Sequence, residues 1–160
     1  MFIKDYLGTL TMHYKEYINI ILRDITALGG LVFYVIISIL IFLLGNFDLF
    51  NRLLIGLLLI YLLVSLCRIF YFKERPKKQS YRNFLGKIDA SSFPSMHVSR
   101  AFFFLFIFHN YFQNSLVSFI LLIIALLVSY SRIHFQKHDY VDLVGGFVVG
   151  LVSGYFVLFF

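Results

Sequence analysis

The chain has one cysteine, Cys67, in the middle of an apolar run. That excludes a disulfide within the chain and any metal centre built on several thiolates, and no Cys/His spacing matches a zinc site. The only prolines, Pro76 and Pro94, both lie outside the long apolar runs. Acidic residues are scarce: 8 face 14 lysines and arginines, for a formal charge of +6. Such a balance usually raises nucleic-acid binding. Here the basic residues fall in short connections between apolar runs, so nucleic acid is not the expected partner, and anionic head groups or phosphate esters suit the pattern better. A conventional signal peptide is also missing, because residues 1–25 lack the basic-then-apolar order and the small-residue cleavage site.

Hydrophobicity is what the chain has in excess. Apolar residues make up 61% of it, with a mean hydropathy of +0.88, against roughly 45–50% in a soluble domain. The excess lies in long, nearly uncharged runs, the pattern of a multi-pass protein of the cell membrane. The expected fold is all-α: a polytopic membrane helix bundle with five transmembrane helices, at residues 27–44, 53–72, 98–112, 115–130 and 141–160. This membrane-embedded domain, 26–160, follows an amphipathic interfacial helix over 1–25. In that helix Phe2, Ile3, Tyr6, Leu7, Leu10, Tyr14, Tyr17, Ile18 and Ile21 recur at helical spacing, with Lys4, Lys15, Glu16, Asn19 and Arg23 mostly between them. Asp24-Ile25-Thr26 offers capping chemistry for the first span. Gly45-Asn46-Phe47-Asp48 reads as a polar turn, Pro76 ends the second helix, and a loop runs to Phe93 with Gly86, Ser91 and Ser92 as flexible or capping positions. Gly146, Gly150 and Gly154 recur every four residues beside Gly145, which lets helix backbones approach closely. Packing inside the monomer is the favoured use of that stripe, and a homodimer face is the alternative.

Following the crossings shows where the chemistry collects. Five spans put Arg68, Arg75, His97, Arg132, His138 and Asp142 on one face, while the opposite turns hold Asp48, Arg52 and His109. Ionisable groups this dense at a membrane are expensive to place without a use. If the last helix already begins at Lys137, His138 and Asp142 share one face. The carboxylate can then hold one imidazole nitrogen and leave the other as nucleophile or base; the plain alternative is a helix cap with a salt bridge. Arginines match phosphate oxygens with forked donors, and the start of the third span adds backbone N–H groups. Two histidines can divide phosphoryl transfer between attack and protonation of the leaving oxygen. Glu74, Asp89, Asp139 and Asp142 are too scattered for a Mg²⁺ cluster. The expected chemistry therefore uses no metal and no other cofactor.

Three sequence blocks sharpen this reading: Arg68-(six residues)-Arg75-Pro76, Pro94-Ser95-Met96-His97, and Ser131-Arg132-(five residues)-His138-(three residues)-Asp142. Together they resemble the type 2 phosphatidic acid phosphatase family, the lipid phosphate phosphatases that share a core with vanadium haloperoxidases. The family blocks read Lys-(six residues)-Arg-Pro, Pro-Ser-Gly-His and Ser-Arg-(five residues)-His-(three residues)-Asp. Arg68 thus replaces a lysine and Met96 a glycine, while the third block matches fully. The resemblance implies that His138 attacks phosphorus to form a phosphohistidine, that Asp142 orients it, and that His97 protonates the leaving group. It further implies that Arg68, Arg75, Arg132, Ser95 and the Met96 N–H bind the phosphoryl oxygens. Met96 is expected in ordinary helix-start geometry, which keeps its N–H usable.

Lys73, Arg100 and Ser131 are further candidates for phosphate contact, although a salt bridge or a snorkelling side chain is the simpler reading of Arg100. His134 reads as a loop histidine without a direct role, and Lys77, Lys78, Arg82 and Lys87 as a solvated loop that attracts head groups. The expected activity is an enzyme, a metal-independent lipid phosphate phosphatase embedded in the bilayer. Its substrate would be an isoprenoid (di)phosphate, phosphatidic acid or phosphatidylglycerol phosphate, since the small chain carries no extra soluble domain for a large head group. A lipid A phosphatase, a lipid phosphotransferase and a silent lipid-binding subunit are the alternatives; intact His97, His138 and Asp142 speak against the last. The loop lysines and Arg82 place this face in the cytoplasm by the positive-inside rule, whereas the resemblance implies the outer or lumenal leaflet.

Overall fold

The computed structural model describes residues 2–77 and 79–159, with side chains from residue 14 onward except Lys78. The positions Phe2, Ile3, Lys4, Tyr6, Leu7 and Leu10 of the expected amphipathic face, and Lys78 of the basic loop, therefore lie outside the described side chains. Among the described residues the secondary structure is all helical: α1 (Phe2–Leu28), α2 (Leu31–Leu43), α3 (Phe47–Phe70), α4 (Phe84–Ala90), α5 (Met96–Phe112), α6 (Ser115–His134) and α7 (Tyr140–Leu158).

Local capping, more than hydropathy, sets the helix boundaries. The Asn46 side chain accepts from Leu49 N at 3.1 Å, so α3 starts at Phe47, six residues before the expected span. The α2–α3 turn shrinks to Leu44, Gly45 and Asn46, closed by positive φ at Gly45 (+78°), a conformation natural to glycine. The Asn114 side chain accepts from Leu116 N and Val117 N at the start of α6. α4 was not expected; Asn83 caps it by accepting from Gly86 N at 2.7 Å. α3 ends at Phe70, well short of Pro76, and residues 71–75 run without helix. At the other end of the chain, α1 runs through Asp24, Ile25 and Thr26, so no helix break occurs at 25–26. The break falls instead at Gly29-Gly30, where the flanking segments Tyr14–Leu28 and Leu31–Leu43 bend by 48°. The Thr26 hydroxyl does not cap; it bonds the Ser131 hydroxyl of α6.

These boundaries revise the span count. α3, α6 and α7 are long and apolar enough to cross a bilayer, and the bent pair makes a fourth if it acts as one broken span. With 17 residues, α5 reaches only about 25 Å at about 1.5 Å per residue, short of a hydrocarbon core of about 30 Å. It ends early because Gln113 takes a left-handed conformation (φ 49°) at its C-cap. Five full-length spans are therefore not what length and composition support.

The helices pack around α5, which contacts α7, α6 and α3. One cluster joins α2, α3, α5 and α7 through Tyr34, Leu53, Ile60, Val64, Phe103, Ile107 and Val157. Within it the Tyr34 hydroxyl donates to Leu53 O at 2.7 Å, which satisfies a polar atom buried far from water. A second cluster joins α5 and α6 through Val98, Ala101, Phe102, Ala125 and Val128, with Ile25 and Leu28 of α1 packed on it. Outward faces such as Leu54, Leu58 and Leu62 of α3 and Val144, Val148 and Val152 of α7 are exposed, as lipid-facing helices require.

The glycine stripe of α7 is occupied by α5. A Cβ on Gly146, Gly150 or Gly154 would lie 2.6 Å from Ser95 O, 2.5 Å from Ser99 O and 2.6 Å from the Phe106 ring, respectively. The stripe is thus spent inside the monomer, and a homodimer through these glycines has no free face to use. Gly150→Val is expected to destabilise the detergent-solubilised protein by about 1–3 kcal/mol, the usual cost of overpacking, and to leave its apparent mass unchanged. Thermal unfolding with size-exclusion chromatography checks both; a loss of oligomeric mass would contradict the packing described.

Candidate active site

The first block is built by the exit of α3. Arg68 lies in the last helical turn and is buried. Its guanidinium donates to Ile88 O (3.2 Å) and Asp89 O (3.5 Å) through one nitrogen and to Pro94 O (3.1 Å) through another. Arg68 therefore spends most of its donors on backbone carbonyls and clamps the loop between α4 and α5. Arg75 lies in the non-helical segment after α3 and donates to Asp89 O at 2.6 Å. That segment is held in place by Ser92 N to Lys73 O (2.8 Å), Lys73 N to Ser91 Oγ (3.2 Å) and Lys77 N to Gln136 O (2.9 Å).

The second block opens α5. The Phe93–Pro94 peptide is cis, and Met96 is not among the residues with positive φ. Met96 sits at an ordinary helix start, where its N–H is one of the free donors of the first turn. Ser95 is the N-cap residue and is fully buried, but its side chain makes no capping bond. Its Oγ has no partner, while its N–H is tied to Asp142 O at 3.0 Å.

The third block spans the end of α6 and the start of α7. Ser131 and Arg132 belong to the last turns of α6, not to a connection. Ser131 is buried and donates to Val128 O at 2.7 Å, so it ties α6 to itself and to Thr26 and does not line the cavity. The last helix begins at Tyr140, not at Lys137, because Asp139 and Asp142 form a reciprocal capping box: Asp142 N donates to Asp139 Oδ1 (3.1 Å) and Asp139 N to Asp142 Oδ2 (3.0 Å). His138 sits just outside the helix and still faces Asp142, with Nδ1 3.4 Å from Oδ2. That contact is an ion-pair approach without hydrogen-bond alignment, and His138 Nδ1 has no bonded partner.

Asp142 is completely buried. Its Oδ1 accepts from Lys73 Nζ at 2.9 Å and from Ser92 Oγ at 3.3 Å. Lys73 Nζ also reaches both oxygens of Asp139, at 2.7 and 2.6 Å. Burial alone would lower the Lys73 pKa; the hydrogen bonds from its ammonium to the two carboxylates outweigh that and leave it raised. His138, only 3% exposed, is shifted the other way. Burial pushes its pKa down, the Asp142 contact opposes this, and the charges of Arg132 and Arg75 push it down further.

A cavity of about 360 Å³ collects the blocks: Arg68, Arg75, Met96, His97, Arg100, Arg132 and His138 line it, together with Leu31, Tyr61 and Asp89. The Nε atoms of Arg68, Arg75 and Arg132 on its wall are buried without partners, as is the Ser95 Oγ at the head of α5. Unpaired buried donors are costly unless a ligand meets them. Arg100 does not snorkel, and among the described residues it forms no salt bridge. It is buried and donates to Gly29 O at 2.9 Å, with Tyr61 OH at 3.4 Å. His134 bonds Asn19 of α1 (2.7 Å) and His109 bonds Ser118 (2.7 Å), both exposed and away from the cavity. Sequence reasoning missed Ser92 and Tyr61. Tyr61 lies two helical turns before Arg68 on the same face of α3, a spacing that could have flagged it.

The profile of the PAP2 superfamily matches residues 49–160. The chain belongs to the PAP2 superfamily. The matched region holds all three blocks and leaves α1 and α2 outside it. No curated protein matches the chain by sequence. Among solved structures, the chain is similar to the crystal structure of Aquifex aeolicus LpxE at 21% identity and a TM-score of 0.75, covering 90% of this chain and 87% of that one. At that identity the likeness is one of fold, and it extends beyond the profile match into α1 and α2. PAP2 membership marks the protein as a member of a phosphatase family, and the apolar helices place it in a membrane.

Two of the three cavity arginines, Arg68 and Arg132, should separate experimentally. Arg68→Met removes a charged donor from three carbonyls, at about 1–3 kcal/mol, and is expected to raise hydrogen exchange across residues 84–92. Arg132→Met, whose Nε holds nothing, is expected to leave exchange there unchanged. Equal exchange in both variants would remove the clamp role of Arg68.

Proposed function

We propose that the protein is an integral membrane lipid phosphatase that cleaves a phosphate monoester or diphosphate from a lipid through a phosphohistidine. The observation that carries this reading is the single cavity onto which both His97 and His138 open, walled by Arg68, Arg75 and Arg132, with Asp142 behind His138. Unpartnered donors around that cavity suit the oxygens of a phosphoryl group.

In the proposed reaction Asp142 holds Nδ1, the neutral imidazole of His138 attacks phosphorus through Nε2, and an N–P bond forms as the P–O bond to the lipid breaks. His97 gives its proton to the leaving oxygen. Water then attacks the phosphohistidine, His97 takes a proton from it, and the N–P bond breaks to release inorganic phosphate and restore His138. The 3.4 Å contact between His138 and Asp142 is long for a working hydrogen bond, and such contacts commonly tighten when substrate binds. The phosphate-binding donors are Arg132, Arg75, the remaining Arg68 Nε, Ser95 Oγ and the Met96 N–H.

The substrate class follows from the setting. A cationic cavity at the end of membrane helices, with apolar Leu31 and Tyr61 on its wall, needs only a head group to leave the bilayer. Isoprenoid (di)phosphates, phosphatidic acid and phosphatidylglycerol phosphate fit that description. A lipid A phosphate remains the alternative within the same chemistry, as does transfer of the phosphoryl group to an acceptor other than water.

Phosphate release by the detergent-purified protein in EDTA tests the reading, on a panel of farnesyl and undecaprenyl diphosphate, phosphatidic acid, phosphatidylglycerol phosphate and a lipid A phosphate. Release is expected on at least one lipid and should fall at least about 1,000-fold in His138→Ala, as loss of a nucleophile requires. The pH profile gives a second check. A lowered pKa keeps His138 neutral to lower pH, so the acidic limb of kcat/KM is expected below the ordinary imidazole value of about 6.5. Unchanged activity in His138→Ala would end the phosphohistidine proposal.

A further inference from the structure

We infer that Lys73 is a positioning residue for the His138–Asp142 pair: its ammonium joins Asp142 and Asp139 from behind, outside the phosphate cavity, and fixes which carboxylate oxygen is left for His138. The inference rests on the proposed phosphatase reading and assigns Lys73 a place that its sequence neighbourhood, between Arg68 and Arg75, does not suggest.

The geometry divides the Asp142 carboxylate in two. Oδ1 is taken by Lys73 Nζ (2.9 Å) and Ser92 Oγ (3.3 Å). Oδ2 is left to the Asp139 N–H (3.0 Å) and to His138 Nδ1 (3.4 Å). A carboxylate held at both oxygens cannot swing, so the imidazole it orients cannot swing either. Lys73 itself is placed by its own backbone, bonded to Ser91 and Ser92 on either side of its peptide. Its side chain is about one-fifth exposed, while that of Asp142 is 0% exposed. Lys73 is absent from the cavity wall, so phosphate does not need it as a ligand.

Charge makes the second half of the case. Asp139 and Asp142 sit within one capping box, and like carboxylates sharing a site hold a proton between them unless a cation intervenes. Lys73 is the cation that bonds both. The other charged and titratable groups facing the pair are Arg132 from α6, Arg75 from the segment after α3, Arg68 from α3 and His97 from α5. All of these lie on the cavity side, where an incoming phosphate draws on them. Among the described residues, Lys73 is the cation that bonds these carboxylates without lining the cavity, and it stays with them when the cavity fills.

The test compares Lys73→Met and Lys73→Arg in the full-length protein on the lipid that the wild type hydrolyses best, over a range of pH. Lys73→Met is expected to lower kcat by 10-fold or more, in line with loss of a partner that orients a catalytic group (about 10–100-fold), with KM changed less than threefold. Its acidic limb should move to higher pH, because removing a positive charge lets nearby groups keep their protons longer. Lys73→Arg should restore both kcat and the limb. If Lys73→Met is too unstable to purify, Lys73→Met combined with Asp139→Asn relieves the carboxylate repulsion and keeps an Asn cap; it should still show the lower kcat, with the limb moved part of the way back. A Lys73→Met or double variant with wild-type kcat, a loss confined to KM, or a Lys73→Arg that fails to restore the profile overturns the assignment while leaving the phosphatase reading intact. A wild type that releases no phosphate from any lipid overturns both.

Discussion

The site depends on one buried carboxylate. Asp142 has no solvent contact, and an ion removed from water costs several kcal/mol unless it is paired and hydrogen-bonded. Its partners come from three separate stretches of chain: Lys73 after α3, Ser92 before α5, and the Asp139 N–H and His138 between α6 and α7. Meeting that requirement draws three connections to one point. The carboxylate is thereby held by the chain's own groups, while the Nε atoms of the cavity-lining Arg68, Arg75 and Arg132 stay unpartnered.

The same residue belongs to a packing register. Asp142, Gly146, Gly150 and Gly154 follow one another every four residues along one ridge of α7. The glycines seat that ridge against Ser95, Ser99 and Phe106 of α5. Close backbone approach along the ridge brings Asp142 O within 3.0 Å of Ser95 N at the head of α5, so the helix contact brings the start of α5, with His97, up to the α6–α7 connection that carries His138. Gly29 completes the arrangement from the other side: a Cβ there would lie 3.0 Å from His97 O, and its carbonyl receives Arg100. Small residues thus work here as spacers that set how closely α5, α7 and the α1–α2 break approach one another around the cavity.

Much of this was legible in the sequence because the blocks carry both spacing and chemistry. The helical class followed from long apolar runs, and the convergence of Arg68, Arg75, His97, Arg132 and His138 followed from counting which ends of those runs share a face. What was hidden depended on competition between local bonds. Asp24 and Thr26 look like a cap, yet Thr26 serves Ser131 and the chain breaks at Gly29-Gly30 instead. His138 and Asp142 look like a pair within a helix, yet Asp139 captures the cap and leaves His138 outside. Lys73 resembles one more phosphate cation in a basic stretch; only the folded path of residues 71–77 turns it towards Asp139 and Asp142. α4 escaped notice because a seven-residue helix held by Asn83 and by Arg68 carries no periodic apolar signal.

The replacement of lysine by arginine at position 68 makes sense in these terms. A lysine offers one compact charge with rotating donors, whereas the guanidinium offers a planar fork. Arg68 uses that fork to reach carbonyls at two places, Ile88–Asp89 and Pro94, and so holds the end of α4 and the approach to α5 in one grip. Arg75 contacts the same Asp89 carbonyl. Both arginines of the first block thus rest on the carboxyl end of α4, where the backbone carries partial negative charge. Under the proposed function, a phosphoryl group entering the cavity would meet Arg68 and Arg75 already oriented by carbonyls, beside Arg132, whose Nε is also unpartnered.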